Sequence, residues 1–340
     1  MKKNIWVLIF VMLAACATTS FGQNIQCVLK GEVVNRPQSS RLMLLKPEED
    51  ARTAEVIYIP IQAGKFEYVL NVDTEVAYQF IFEDEHLNGA WRRVDFIAEQ
   101  GTLNFVLHPM DETEKNVIEG GRYTNEYVEK NTYKMSEEIQ YAKDHPNIVG
   151  YTLLVKNIRH GIEYSKEDIS PLLKIYRDIY QPQYPYHPYT ALIESYTNAA
   201  SVKVGNQYVD VTAVDNDDKE VKLSELIKGK VALIHLWASW CGPCRKHGKE
   251  MLPVYEQYKE KGFTVVGIAR ERNKNAMLNA IEKDKYPWIN LLELNDVHGI
   301  WTKFGIGNAG GGDFLVDENG VILAVSPSAE EVRGILKDIL

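Results

Sequence analysis

An apolar run that leads straight into a pair of cysteines limits this chain more than any other feature. Residues 231–238 read VALIHLWA, interrupted only by His235, and Trp240-Cys241-Gly242-Pro243-Cys244-Arg245 follows almost at once. Continuous apolar runs of this kind belong to strands buried on both faces of a sheet. The chain passes from a central strand into a helix at the cysteines, where two thiols at this spacing come within reach of a disulfide. Unpaired amides and the helix dipole at that point favour a thiolate on Cys241, making it both the better nucleophile and the better leaving group. Cys244, one turn further in, is expected to be less exposed and suits the resolving role.

From residue 201 onward the elements alternate. Residues 263–269 (FTVVGIA) predict a strand, residues 273–285 a helix, Ile289–Leu294 a short strand, and a further helix runs through Trp301. Residues 314–317 and 321–325 flank Glu318-Asn319-Gly320 as a hairpin, and residues 328–340 have the spacing of an amphipathic helix. A strand-helix-strand unit followed by an antiparallel pair predicts a mixed sheet covered by helices.

The flanks LWASWCGPCR resemble the thioredoxin superfamily, and the stretch from Val204 to the pair is similar to its extracytoplasmic TlpA/ResA branch of thiol–disulfide oxidoreductases. The resemblance covers residues 201–340. It implies an α/β fold, a thioredoxin-like mixed sheet flanked by helices. It also implies Cys241 as attacking thiol, Cys244 as resolving thiol, Trp240 as a face for the partner, and Gly242 and Pro243 as shaping the loop and tuning its potential. Reduction is the expected direction, since Cys-Gly-Pro-Cys is the pair of thioredoxin, whose potential is about −270 mV. The implied partners are a disulfide-bearing protein and an upstream thiol reductase, such as one in the membrane. The redox-active pair needs no organic cofactor and no metal.

Three departures from the family's pattern stand out. Thioredoxin has a buried aspartate where this chain has His235, six residues before Cys241. A histidine there can exchange a proton near neutral pH, or it can be a hydrogen-bonded core residue without catalytic duty. Family members place a cis-proline at the position of Gly311, within Gly310-Gly311-Gly312, the loop expected to bind substrate. Glycine at that point suggests unusual backbone shapes and a close approach to the disulfide. Finally, Pro253 should kink the helix, while many relatives carry their proline at the position of Lys249, and Gly248 offers flexibility instead.

Other chemistries rank lower. Cys241, Cys244 and His247 make only part of a metal site, with no evident fourth ligand. A thiol peroxidase is expected to carry threonine where Ala238 stands. No HExxH, GxSxG or phosphate loop occurs. The net charge of −9 without a basic block gives no electrostatic footprint for nucleic acid.

Length makes room for more than one domain: 340 residues predict two or three. Lys2, Lys3, the short apolar run at residues 5–15 and the small polar residues after it read as an export signal over residues 1–22. Leu13-Ala14-Ala15-Cys16 resembles a lipobox, in which the signal is residues 1–15 and Cys16 is lipidated. The protein is then expected in the periplasm, or anchored to the envelope facing it, and meets a membrane only through Cys16. Residues 24–118 carry short apolar or alternating runs between turn signals and predict a small antiparallel sandwich or barrel. They resemble the β-rich domain often joined to such modules in Bacteroidota. Cys27, in the first run, reads as a buried small hydrophobe. Residues 119–200 read as a helical connector, with helices over 123–143 and 169–180 and a rigid extended tract over residues 181–189. The competing class is an exported binding protein that works through its N-terminal region and keeps vestigial cysteines.

Overall fold

The computed structural model describes residues 24–90, 92–165, 167–308 and 310–340. Cys16 and the export signal lie outside them. The first strands are β1 (Ile25–Val33), β2 (Arg41–Leu45), β3 (Ile57–Pro60), β4 (Lys65–Val72) and β5 (Val76–Phe82). After α1 (Glu83–Leu87) come β6 (Val94–Ala98), β7 (Gly101–Leu107) and β8 (Val117–Glu119). They form two four-stranded sheets in the orders β4-β1-β7-β8 and β3-β2-β5-β6. The inward residues of both sheets meet in an aromatic core in which the Phe80 ring lies 5.0 Å from Phe96 and 5.1 Å from Phe105. Cys27 is fully buried there, and loss of solvation pushes its thiol up to about 11, so it stays an inert small hydrophobe. The expected all-antiparallel sandwich needs one correction: β1 pairs with β7 in parallel. Strands this far apart in sequence are joined by no hairpin, so no turn residue announces their relative direction.

The helical segment holds α2 (Arg122–Lys130), α3 (Met135–Asp144), α4 (Ile148–His160), α5 (Ser170–Ile175), α6 (Gln181–Gln183) and α7 (Pro188–Ala199). The single helix predicted over 123–143 is broken at Tyr133, whose φ of 60° ends any helical run. The tract expected to be extended instead continues helically to Gln183. His187 then caps α7 by accepting from the Tyr189 N–H, with Pro188 in the first turn. Helix α4 is buried from Ile148 through Val155 and is the core around which the other helices pack.

The remaining elements are β9 (Thr212–Val214), β10 (Glu220–Lys222), α8 (Leu223–Ile227), β11 (Val231–Trp237), α9 (Gly242–Tyr258) and β12 (Phe263–Glu271). They are followed by α10 (Lys274–Asp284), β13 (Ile289–Leu294), α11 (Ile300–Lys303), β14 (Gly312–Val316), β15 (Ile322–Val325) and α12 (Ala329–Ile339). One seven-stranded sheet runs β10-β9-β13-β12-β11-β14-β15, with β11 parallel to β12 and antiparallel to β14. All of β11 is buried, as its apolar run requires. Val231, Leu233 and Trp237 pack under α9 and α12, while Ala232, Ile234 and Leu236 face α8 and α11. Each fully buried leucine here contributes roughly 1.5–3 kcal/mol. This is a thioredoxin-like sheet with β11 at its centre, aimed at the cysteines.

Candidate active site

Strand β11 ends at Trp237, and the chain turns through residues 238–240 into α9. Cys241 is the N-cap of that helix, and its Sγ accepts from the Cys244 N–H at 3.3 Å. The two cysteines are joined as a disulfide with Cα atoms 5.3 Å apart. Gly242 and Pro243 are exposed in the first turn. The turn is fastened on both sides. The Glu271 carboxylate accepts from the Ser239 amide and, at 3.0 Å, from its hydroxyl; burial pushes that carboxyl above its ordinary range. Arg245 makes a two-pronged contact with Asp284 at 2.6 and 2.9 Å, and donates to the Ser239 carbonyl. Hydrogen bonding to Arg245 holds the Asp284 carboxyl below its ordinary range.

Beneath the disulfide, His235 lies on the face of β11 under α9. It is 1% exposed, and its Nδ1 stands 2.6 Å from Asp313 Oδ1 on the adjoining strand. His247, one turn beyond Cys244 on α9, places its Nδ1 3.0 Å from Asp313 Oδ2. One carboxylate thus serves two imidazoles. Burial works to raise the Asp313 carboxyl, but His235 and His247 outweigh it and hold it down to about 2. In return, Asp313 raises the pKa of His247. An ionised carboxylate only accepts, so Nδ1 of His235 carries the proton and Nε2 is left as the basic nitrogen. That Nε2 is buried with no hydrogen-bond partner among the described residues. Donor atoms of the three side chains fall within 4.8 Å of one another, a spacing also open to a metal ion. The 2.6 Å separation of His235 from Asp313 is itself a hydrogen-bond length between imidazole and carboxylate. His247 lies at ion-pair distance from Asp313, while neither of its ring nitrogens has a hydrogen-bond partner among the described residues.

The glycine loop closes the other side. Gly312 opens β14 opposite Leu236. A Cβ on Gly311 would fall 1.8 Å from the Leu236 carbonyl oxygen and 3.0 Å from Cys244 Sγ, whereas Gly310 faces open space. Neither Gly311 nor Gly312 has a positive φ. The expectation of unusual backbone shapes is thereby corrected: glycine is needed for proximity. Trp301 anchors the loop by donating Nε1–H to the Gly310 carbonyl at 2.7 Å. Gly248 likewise offers contact in place of flexibility, because a Cβ there would meet the Tyr286 hydroxyl at 2.5 Å.

Two features of the site had no signature in the sequence. Asp313 becomes part of it only through the register of β14 against β11. The second feature is a loop of the β-rich domain. The Arg52 guanidinium lies 4.0 Å over the Trp240 ring and donates to the Asn308 carbonyl. Asp50, fully buried beside it, binds both Arg52 and Arg270, and Arg270 also pairs with Asp296 at 2.6 Å. Exposure of the cysteines reverses the expectation. Cys241 is 6% exposed and Cys244 is half-buried.

Residues 204–325 match the AhpC/TSA family. The thiol-disulfide oxidoreductase ResA of Bacillus anthracis is 25% identical over 149 residues, which span 42% of this chain and 83% of that protein. Among solved structures, the thioredoxin domain of a thiol-disulfide oxidoreductase from Bacteroides vulgatus is 28% identical. The match covers 41% of this chain and 99% of that one, with a TM-score of 0.38. A thiol:disulfide interchange protein from Bacteroides sp. is 29% identical, with 41% and 90% covered and a TM-score of 0.38.

Proposed function

We propose that this chain, whose residues 204–325 form a thioredoxin-superfamily module of the TlpA/ResA-like kind, reduces protein disulfides outside the cytoplasm. The observation that carries the reading is the Cys241–Cys244 pair at the N-cap of α9, with a Cys244 N–H directed at Cys241 Sγ. Amides and the helix dipole at that point stabilise a Cys241 thiolate once the pair is reduced. The thiolate attacks one sulfur of the partner's disulfide, forming a mixed disulfide and expelling the other partner sulfur as a thiolate. Cys244 then gives up its proton, its sulfur bonds to Cys241 Sγ, and the second partner sulfur departs. Two electrons have passed to the partner, and an upstream thiol donor returns them. The pair itself is the redox centre, so the cycle needs no organic cofactor or metal. His235 Nε2 is the base for the Cys244 proton, held in its acceptor form by Asp313. Export rests on the signal pattern of residues 1–22, with Cys16 as the alternative lipid anchor.

Insulin-disulfide reduction by the purified chain, compared with Cys241→Ser, tests this. Turnover should vanish in the variant. Equal turnover by the two proteins would leave the cysteines vestigial and return the function to the N-terminal region.

A further inference from the structure

Between the β-rich domain and the helical segment lies a cavity of about 400 Å³. Small-molecule sites have volumes of roughly 300–1,000 Å³. Tyr127 on α2 and Tyr133 between α2 and α3 supply aromatic wall. Formal charge in the lining balances, with Glu48, Asp95 and Glu138 against Arg93, Lys156 and Arg159, but the contacts are unevenly shared. Lys156 is engaged by Glu138 at 2.7 Å and by Asn131 at 2.6 Å. Arg159 is engaged by Glu163 at 3.0 Å and by the Pro47 carbonyl. Glu48 and Asp95 then remain, facing Arg93 on an exposed stretch of the rim. Asp95 Oδ1 is shut off from solvent and has no hydrogen-bond partner among the described residues. Among those residues Glu48 forms no ion pair either. Buried carboxylate oxygens are ordinarily met by donors, and a vacant one inside a cavity points to a donor brought by a ligand. Tyrosine faces favour a cation beside them; the Tyr133 ring already holds the Lys156 ammonium at 4.2 Å, which leaves Tyr127 for a ligand.

We propose that this cavity binds a small organic ammonium compound. Its N–H groups meet Asp95 and Glu48, and its carbon skeleton packs on Tyr127. Simple amines and α-amino acids share that chemistry and differ in a carboxylate, for which Arg93 is the available partner. This site is independent of the dithiol reading and stands or falls without it.

Isothermal titration of the purified chain decides the matter, using cadaverine, L-lysine, 1,5-pentanediol and glutarate as probes. Cadaverine or L-lysine should bind, while the diol and the dicarboxylate should not. Tighter binding of L-lysine, lost in Arg93→Ala, would assign the site to amino acids, and equal or better binding of cadaverine to simple amines. Asp95→Asn and Glu48→Gln should each weaken binding of the better amine at least tenfold, with circular dichroism confirming that both variants fold. Absence of binding by both amines at millimolar concentration would overturn the proposal. So would unchanged amine affinity in both folded variants.

Discussion

At the scale of single residues, the site depends on atoms that are absent as much as on those present. Gly311→Ala would drive a methyl group into the Leu236 carbonyl, so the loop must move away from Cys244. We expect a loss of about 1–3 kcal/mol in urea unfolding, together with slower reduction of a protein substrate. Gly310→Ala, facing open space, should leave stability within about 0.5 kcal/mol of the parent. His235→Ala should slow resolution of a trapped mixed disulfide on the order of 10²-fold while leaving attack by Cys241 largely intact. Asp313→Asn should move in the same direction, because the tautomer of His235 depends on it. Quenched-flow separation of the two steps checks both variants, and unchanged resolution across pH would remove His235 from the mechanism. The same carboxylate also fixes a pH dependence. His247 has its pKa raised above the ordinary 6.5, so stability from its contact with Asp313 is complete below about that pH and drains away as pH rises through the raised value. Asp313, held down to about 2 from an ordinary 3.8, contributes above the latter and loses its contribution as pH falls through the former. The pair is therefore strongest between the two ordinary values. Thermal midpoints of the parent and His247→Gln should differ most in that window and converge as pH rises through the raised His247 value.

Secondary-structure elements show where sequence reading succeeds and where it stops. Strand β11 and helix α9 were legible because Cys-Gly-Pro-Cys and an apolar run broken only by His235 are both local signals. Helix α4 escaped notice for a physical reason. It is buried on nearly every side, so the polar stripe that marks a surface helix is absent from its first two turns. Asp313 escaped for another reason: its tie to His235 exists only through the register of antiparallel strands far apart in sequence. Glu99, at the end of β6, belongs to the same class of tertiary signal. Its carboxylate accepts from the Arg122, Tyr123 and Thr124 amides at 2.8, 3.1 and 2.7 Å. It caps α2 from another element, in place of the Ser, Thr, Asp or Asn that normally precedes a helix. Glu99→Ala leaves those amides bare, and a loss of about 2 kcal/mol in urea unfolding is expected.

The whole molecule joins the β-rich domain to the thioredoxin-like module through charge. Asp50 and Arg270 are buried, and an unpaired ion at such a place is costly, which makes the joint specific. Thr53 donates to Asp296 at 2.6 Å, Arg272 donates to the Ala54 carbonyl at 2.6 Å, and the Asn308 amide reaches the Glu49 carbonyl at 3.4 Å. Three successive stretches of the module are thus held by one loop, residues 49–54. That loop carries Arg52 onto Trp240, the residue through which a family resemblance expects the partner to dock. Cys241 itself is 6% exposed, while Trp240 beside it remains 37% exposed. A partner docking on Trp240 would meet Arg52 as well. Arg52→Ala removes the guanidinium over Trp240 while leaving Asp50 paired with Arg270. In the reduced protein, alkylation of Cys241 by a bulky maleimide should then accelerate several-fold, whereas iodoacetamide, being small, should gain less. Equal rates for the two proteins with both reagents would mean that the cover over Cys241 is set by its own loop and that the β-rich domain does not govern access to the thiol.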